Sequence, residues 1–320
     1  MLGLPDLATI REERALLAKH FGPTPLVKAA RLSSADAEVY LKVETVLPTG
    51  SFKPRGAMFA LAKNLERGVV DEVIASSTGN HGAATAFAAR ALGVRATIFL
   101  PEGANPVKVQ KIEDLGARIV CKGSADLAGA FQLAQEYSQR PGVYFLNDAT
   151  DHDVLAGPGT IGLELLEQLP TLTAVYVPMG DTALIRGVGA AVKALAPQVR
   201  IVGVQAEKAP SYVLSWRAGR PVPTDTCDTC ADGLATRTPE VENVAAIRQV
   251  VDEVALVSEA QMIDAIGRLY RDEKIVAEPA GAAACAAWLA NPMPGRIVLL
   301  VTGANVAEDV RRQAGLPPSA

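Results

Sequence analysis

Short runs of β-branched and other apolar residues alternate along the chain with longer stretches rich in alanine and leucine. The short runs predict strands at 39–43, 73–75, 96–100, 118–120, 143–146, 174–177, 200–204 and 297–301. The longer stretches predict helices, among them 106–115, 124–138, 183–196 and 258–272. This alternation is typical of an α/β protein whose mainly parallel sheets are covered by helices on both faces.

Composition narrows the class of protein. The 320 residues can form one large domain or two smaller ones, and 49% hydrophobic residues supply enough apolar surface for a core. The net charge is −4 and basic blocks are absent, which argues against nucleic acid as a partner. No apolar run approaches the ~20 residues that span a bilayer, and the first residues lack a signal-peptide pattern. We therefore expect a cytoplasmic protein that binds neither nucleic acid nor a membrane.

The cysteines and histidines do not form an obvious functional group. Four cysteines in a chain of this length do not indicate a disulfide framework. Cys227 and Cys230 have CxxC spacing, which is compatible with a redox pair or with half of a zinc site. The other cysteines are distant from this pair, and no histidine is near it in sequence. We therefore expect neither a metal nor a redox role here.

The segment 49–56, with the sequence TGSFKPRG, places one lysine between a Gly-Ser turn and a predicted helix. A lysine can react with a carbonyl compound when a partly desolvated pocket lowers its pKa. Phe52 offers an apolar face beside the amine of Lys53, and Gly50 and Gly56 let the backbone approach a bulky ligand. The segment is compatible with a covalent nucleophile and also with an ordinary surface lysine at the start of a helix.

A second segment, 76–82 with the sequence SSTGNHG, favours the covalent nucleophile. It follows the predicted strand 73–75 and opens an Ala-rich stretch that runs to about residue 92. A strand, a loop of small residues and a helix N-terminus form the arrangement in which backbone N–H groups and the helix dipole bind an anion. Asn80 adds a side-chain donor at the same point.

Together these segments resemble the pyridoxal-phosphate enzymes of the tryptophan-synthase β fold, specifically the threonine and serine dehydratase branch that also contains serine racemase. The resemblance extends in order from about residue 24 to about residue 305. It is carried further by GPGTIGLE at 157–164, VGVQAE at 202–207, ADG at 231–233, EPAG at 278–281 and TGAN at 302–305. Each motif alone is weak, but their ordered occurrence is a strong signal.

The resemblance implies a fold and a site. It implies a large cofactor-binding domain, 1–70 and 150–320, and a small mobile domain, 71–149, with pyridoxal 5'-phosphate between them. Lys53 would link to the cofactor and take the Cα proton of the substrate. The implied cofactor-binding residues are Phe52, Lys53, Asn80, Gly180, Asp181, Thr182, Ala183, Leu184, Gly233, Glu278 and Thr302. The implied substrate-binding residues are Ser77, Thr78, Gly79, Asn80 and His81.

The phosphate loop departs from the family's pattern. Related dehydratases usually carry a glycine-rich loop, whereas this chain has PMGDTAL at 178–184. The order of a strand, a tight loop and a helix is kept, so a helix N-terminus can still bind phosphate. The carboxylate of Asp181 would repel a phosphate dianion. We therefore expect Asp181 to turn away from the phosphate or to bond to loop N–H groups.

Thr302 follows the predicted strand 297–301, where related dehydratases place Ser, Cys or Thr against the pyridine nitrogen of the cofactor. A neutral hydroxyl does not hold the ring protonated as a carboxylate would. The resemblance therefore favours loss of a β-substituent over a long-lived carbanion.

The implied function is an ammonia-lyase that converts L-threonine, L-serine or a related β-hydroxy amino acid to a 2-oxo acid and ammonia, as a homodimer. The cofactor phosphate is the expected proton donor to the departing hydroxyl, because no side-chain acid is evident in these motifs. A racemase is an alternative, since Thr78 stands where racemases of the family place a hydroxyl residue. A non-catalytic α/β ligand-binding protein is a further alternative, because the phosphate loop is altered.

A divalent cation is not expected. Serine racemases and some related dehydratases bind one through an acidic pair, by resemblance in the segment 204–211. Gln205 and Ser211 stand where those carboxylates would be, which leaves too little anionic oxygen for Mg²⁺ or Ca²⁺. We therefore predict no metal at this site.

Overall fold

The computed structural model describes residues 3–77, 79–104, 106–121 and 123–318. The strands are β1 (Leu26–Lys28), β2 (Ala37–Val43), β3 (Glu72–Ser76), β4 (Arg95–Phe99), β5 (Arg118–Val120), β6 (Val143–Phe145), β7 (Ala174–Pro178), β8 (Arg200–Ala206), β9 (Glu253–Val257) and β10 (Gly295–Val301). The helices are α1 (Leu7–Leu17), α2 (Pro54–Arg67), α3 (Asn80–Leu92), α4 (Pro106–Asp114), α5 (Leu127–Tyr137), α6 (Ala156–Gln168), α7 (Ala183–Leu195), α8 (Ser211–Ala218), α9 (Val241–Val250), α10 (Glu259–Glu273), α11 (Pro279–Ala290) and α12 (Glu308–Gln313).

The larger sheet has six strands in the order β1-β2-β10-β7-β8-β9. Within the described residues, β1 and β2 form the one antiparallel pair of this sheet, and all its other neighbouring strands are parallel. Along β10 the side chains alternate between two apolar clusters, with Leu299 in one and Val298 and Leu300 in the other. Strand β10 is therefore buried on both faces, which explains its unbroken apolar sequence.

Helices cover both faces of this sheet. Residues of α10 and α11 pack in the cluster on one face, and residues of α6, α7 and α9 pack in the cluster on the other. Helix α11 is rich in alanine and is buried from Pro279 to Trp288, so small side chains allow it to lie close to the strands. The α/β architecture with helix-covered, mainly parallel sheets is the one that the sequence pattern predicts.

The smaller sheet has four parallel strands in the order β5-β4-β3-β6. It packs against α3 and against residues of α2. Because β3 and β6 are parallel neighbours, their carboxyl ends lie at the same edge of the sheet. The loop after β3 and the loop after β6 are therefore brought side by side. No helix in the described part of the chain is both long and apolar enough to cross a bilayer.

Candidate active site

Lys53 lies at the N-cap position of α2. The segment before it is held by the loop that follows β10. Ser51 forms an isolated antiparallel bridge with Gly303, and the N–H of Phe52 donates to the carbonyl of Thr302 at 3.0 Å. Lys53 and Thr302 are thus placed close together by backbone contacts, although they lie at opposite ends of the sequence.

A buried ionic cluster fixes the first turn of α2. The guanidinium of Arg55 donates to Glu44 at 2.8 Å and to Glu164 at 2.6 Å. Lys42 donates to the same Glu164 at 2.5 Å. Burial raises the pKa of Glu164, but Arg55 and Lys42 together lower it below its usual range. Two cations and two carboxylates compensate one another, so the cluster anchors the helix start without an unpaired buried charge.

The amine of Lys53 lies between two carboxylates. Nζ is 2.5 Å from Oδ2 of Asp148 and 3.4 Å from Oδ2 of Asp181. The side chain is 17% exposed, and its amine lies 5.3 Å from the centre of the Phe52 ring. Burial favours the neutral amine, but the two carboxylates outweigh it and raise the pKa of Lys53 above its usual range. The expectation of a lowered pKa is therefore wrong for this arrangement.

Asp148 was not identified from the sequence. It lies in the loop after β6, and its Oδ2 is also 3.4 Å from Nδ1 of His81, in the first turn of α3. Nε2 of His81 is 2.9 Å from the carbonyl oxygen of Leu146. Burial raises the pKa of Asp148, whereas His81 and Lys53 lower it, and the net shift is downward. The useful signal in the sequence was its position just after the predicted strand 143–146, at the carboxyl edge of a parallel sheet.

The predicted anion site lies where β3 leads into α3. The N–H of Gly79 donates to the hydroxyl of Ser77 at 3.2 Å, and α3 begins at Asn80. The side chain of Asn80 donates to Oε1 of Glu278 at 2.7 Å and accepts from Asn305. The first turn of α3 thus meets the elements that carry Glu278 and Asn305. Thr78, predicted to act in catalysis and substrate binding, lies outside the described residues.

Glu278 immediately precedes α11 and is packed against the loop after β10. Its N–H donates to the carbonyl of Gly303 at 2.9 Å. A Cβ placed on Gly303 would lie 2.2 Å from Oε1 of Glu278, so a larger residue here would have to displace this carboxylate. The motifs EPAG and TGAN are therefore in contact with each other and with Asn80.

The loop after β7 leads into α7. Oδ1 of Asp181 accepts from the N–H of Ala183 at 2.9 Å, so the carboxylate bonds a loop amide, while its other oxygen faces Lys53. Thr182 has a left-handed φ of 77°, although it is not a glycine. Ala183 and Leu184 form the first turn of α7 and are buried in the core. Asp181 does not turn away from the site.

This loop fits a phosphate group. The hydroxyl of Thr182 and Nε of Arg186 are buried without a hydrogen-bond partner among the described residues. Buried donors are normally satisfied, so two unsatisfied ones at the N-terminus of α7 indicate an anionic ligand. Gly180 lies so close to Gly233 that a Cβ would be 2.1 Å from the Gly233 carbonyl oxygen. The structure thus brings Gly233 to the loop.

Residues of the predicted cation segment and of the CxxC segment form hydrogen bonds within the protein. The amide oxygen of Gln205 accepts from the N–H of Val213, and the hydroxyl of Ser211 donates to the carbonyl of Thr236. In the CxxC segment, burial and a hydrogen bond with Glu259 raise the pKa of the Cys230 thiol to about 12. A thiol with this pKa stays protonated at neutral pH and is a poor nucleophile.

A family model described as pyridoxal-phosphate dependent enzyme matches residues 17–303. The chain belongs to this family. It is 36% identical over 303 residues to the L-threonine ammonia-lyase of Thermotoga maritima, covering 94% of this chain and 75% of the relative. It is 33% identical over 319 residues to a catabolic L-threonine dehydratase, TdcB, of Staphylococcus aureus, covering 97% of this chain and 91% of the relative. The solved structure of maize serine racemase matches with a TM-score of 0.91 and 28% identity, covering 98% of this chain and 97% of that one.

Membership of this family identifies pyridoxal phosphate as the cofactor. It also decides between the alternatives that the altered loop left open. A non-catalytic binding protein is disfavoured, because the relatives that match almost the whole chain are enzymes. The unpartnered donors at the loop agree with a phosphate-binding role.

Proposed function

We propose that the protein is an ammonia-lyase that uses pyridoxal phosphate to convert L-threonine, L-serine or a related β-hydroxy amino acid to a 2-oxo acid and ammonia. The observation that carries the proposal is the convergence of three helix N-termini on one amine. Lys53 at α2 contacts Asp181, which precedes α7, and Asp148, which contacts His81 on α3. The threonine ammonia-lyase and dehydratase relatives support this choice of reaction.

The cofactor would be held by residues from several motifs. The loop of Gly180, Asp181 and Thr182 and the first turn of α7 would bind its phosphate through backbone amides and the Thr182 hydroxyl. Phe52, Asn80, Gly233, Glu278 and Thr302 would line its ring. When bound, the cofactor withdraws electrons from the bonds at the substrate Cα, which makes the Cα proton acidic.

The substrate carboxylate would bind where the helix dipole of α3 favours an anion. Ser77, Thr78, Gly79, Asn80 and His81 belong to this segment, and the first N–H groups of a helix have no partner within the helix. Lys53 would then remove the Cα proton as a general base. The two carboxylates that face Lys53 favour its ammonium form, so it must be deprotonated when it acts as the base.

Domain closure would complete the site. We propose that 71–149 forms a small mobile domain and that 1–70 and 150–320 form the large one. Lys111 of α4 donates to the carbonyl of Thr49 at 3.1 Å and to the side chain of Asn305. These bonds join the smaller segment to loops beside Lys53, so they would hold the site closed and exclude water. We further propose a cytoplasmic homodimer.

The test is a panel of β-hydroxy amino acids, including L-threonine, L-serine and 3-hydroxyaspartate, scored by release of 2-oxo acid. We expect turnover of at least one member by the cofactor-loaded protein and none by Lys53→Ala. A loaded wild-type protein that releases no 2-oxo acid from any member would refute the proposal.

Racemisation is the second candidate, because maize serine racemase matches nearly the full length of the chain. A racemase needs a proton donor on the face of the substrate opposite Lys53, and Thr78 is the residue proposed for that role. Chiral analysis of serine after incubation distinguishes the two reactions, since a pure lyase leaves no D-serine.

A further inference from the structure

The structure contains a carboxylic acid in direct contact with the reacting lysine, and the proposed function so far gives it no role. Asp148 contacts Lys53 through Oδ2 at 2.5 Å, closer than the 3.4 Å contact of Asp181. The sequence motifs offered no side-chain acid for protonating a departing hydroxyl. Asp148 lies within hydrogen-bonding distance of the amine that takes up the Cα proton.

His81 is a further polar group beside this carboxylate. Nε2 of His81 lies 2.9 Å from the carbonyl oxygen of Leu146, which can only accept, so Nε2 carries a hydrogen. Nδ1 of His81 lies 3.4 Å from Oδ2 of Asp148. The contact with Leu146 thus holds the ring of His81 beside the same oxygen that Lys53 contacts.

We propose that Asp148, in place of the cofactor phosphate expected from the sequence, is a catalytic acid that receives from Lys53 the proton taken from Cα and delivers it to the departing β-hydroxyl. This inference rests on the proposed function. The Cα–H bond breaks and its proton binds the amine of Lys53, which passes a proton to Oδ2 of Asp148. The electron pair left at Cα forms the Cα=Cβ bond as the Cβ–O bond breaks with its pair on oxygen, and that oxygen takes the proton from Asp148 and leaves as water.

The groups around Asp148 have opposing effects on its affinity for a proton. Those that face it are Lys53 before α2, Asp181 after β7 and His81 on α3. Burial raises the pKa of Asp148, whereas the charges of His81 and Lys53 lower it. When Lys53 passes on its proton and becomes a neutral amine, one of the lowering charges disappears and burial favours the protonated carboxyl. Asp181 is less suited, because one of its oxygens is bonded to the N–H of Ala183.

The decisive experiment varies the leaving group while the product stays the same. L-serine and β-chloro-L-alanine both give pyruvate, but departing hydroxide needs a proton and departing chloride does not. Asp148→Asn keeps the size of the side chain and removes its ability to carry the proton. For this variant we expect kcat/KM for L-serine to fall by about 10²-fold or more, the range of general acid catalysis. Turnover of β-chloro-L-alanine should change far less, because Lys53 still takes the Cα proton.

Asp181→Asn is the matched control, since it removes the other carboxylate that faces Lys53. We expect it to affect both substrates by a similar factor. If Asp148→Asn lowered kcat/KM equally for both substrates, Asp148 would only position Lys53. If turnover of L-serine were unchanged, Asp148 would have no role in the reaction. Either result overturns the proposal.

A second measurement uses the cofactor-loaded wild-type protein, so it does not depend on the folding of a variant. In D₂O, wild-type protein should be slowed more on L-serine than on β-chloro-L-alanine, because only the former requires proton delivery to the leaving group. Equal solvent isotope effects would overturn the proposal. If the protein released neither pyruvate from L-serine nor a 2-oxo acid from the other β-hydroxy amino acids, the proposed function itself would be refuted.

Discussion

Gly180 and Gly233 are in such close contact that a Cβ on Gly180 would lie 2.1 Å from the carbonyl oxygen of Gly233. Only a residue without a side chain permits this approach. The contact joins the loop after β7 to the short helical turn at Asp232–Leu234. A single atom of extra volume at Gly180 must therefore displace one of the two segments.

Gly180→Ala should weaken cofactor binding. Extra volume in a packed site costs about 1–3 kcal/mol, which corresponds to a loss of roughly 10- to 100-fold in affinity if all of it falls on the loop. Titration of the cofactor-free protein with pyridoxal phosphate, followed by absorbance, measures the change. Gly68→Ala is the control, because Gly68 has open space around it and an extended backbone. Unchanged affinity in Gly180→Ala would show that the loop is not part of the cofactor site.

Thr182→Val tests the unpartnered hydroxyl. Valine keeps the branched shape, so the left-handed backbone strain is the same and only the donor is lost. A hydrogen bond to a charged group contributes about 1.5–3 kcal/mol, so we expect affinity for pyridoxal phosphate to fall at least ~10-fold. Thr182→Ser retains the hydroxyl and should bind nearly as well as wild type. Equal affinity of the valine and serine variants would contradict a phosphate-binding role for this hydroxyl.

Asp181→Asn separates the shape of the loop from its charge. The amide oxygen of asparagine can still accept from the N–H of Ala183, as Oδ1 of Asp181 does. Removing the negative charge reduces repulsion of the phosphate dianion, so we expect affinity for pyridoxal phosphate to be preserved or increased. The same titration measures it. A large loss of affinity would mean that the charge itself organises the site.

The sequence predicted the regular elements well, and its failures have physical causes. Helix α10 was expected at 258–272 and spans Glu259–Glu273, because a capping box of Ser258 and Gln261 marks its start. Strands β1 and β9 were not predicted. Both lie at edges of the larger sheet and are incompletely buried. Strand β1 has only three residues, too few to show a pattern, whereas the apolar run in β9 is short and cannot be told from a helix segment by periodicity alone.

Candidate site residues could be predicted where they lie in a recognisable sequence motif. Those that only the fold brings to the site were missed. Lys53, Asn80 and Gly180 lie in recognisable segments. Asp148 is brought to Lys53 by the pairing of β6 with β3, which no local pattern specifies. The expected direction of the Lys53 pKa was wrong for the same reason. The carboxylates that raise this pKa come from distant parts of the chain.

Glu13 gives a prediction about stability. It is buried in α1, and both carboxylate oxygens lack a hydrogen-bond partner among the described residues. Burial raises its pKa well above the ordinary value of 4.5, although Arg55 opposes the shift. The folded protein therefore binds a proton at Glu13 more tightly than the unfolded chain does, so the cost of burying Glu13 grows as the pH rises above 4.5.

Replacing Glu13 with methionine should therefore stabilise the fold. We expect Glu13→Met to raise the free energy of unfolding by about 1–3 kcal/mol near pH 8 and by much less near pH 4. Urea unfolding at both pH values measures the difference. Glu12→Gln, at the exposed neighbouring position, should show no such gain. A methionine variant that is less stable than wild type at pH 8 would mean that the carboxylate has an essential partner.

The most direct test of the account is the identity of the lysine that carries the cofactor. The protein is loaded with pyridoxal phosphate, reduced with borohydride, digested and mapped by mass spectrometry. We predict that the label is on Lys53, and that Lys53→Ala remains folded but acquires no label. A label on another lysine, such as Lys42 or Lys111, would contradict the central claim.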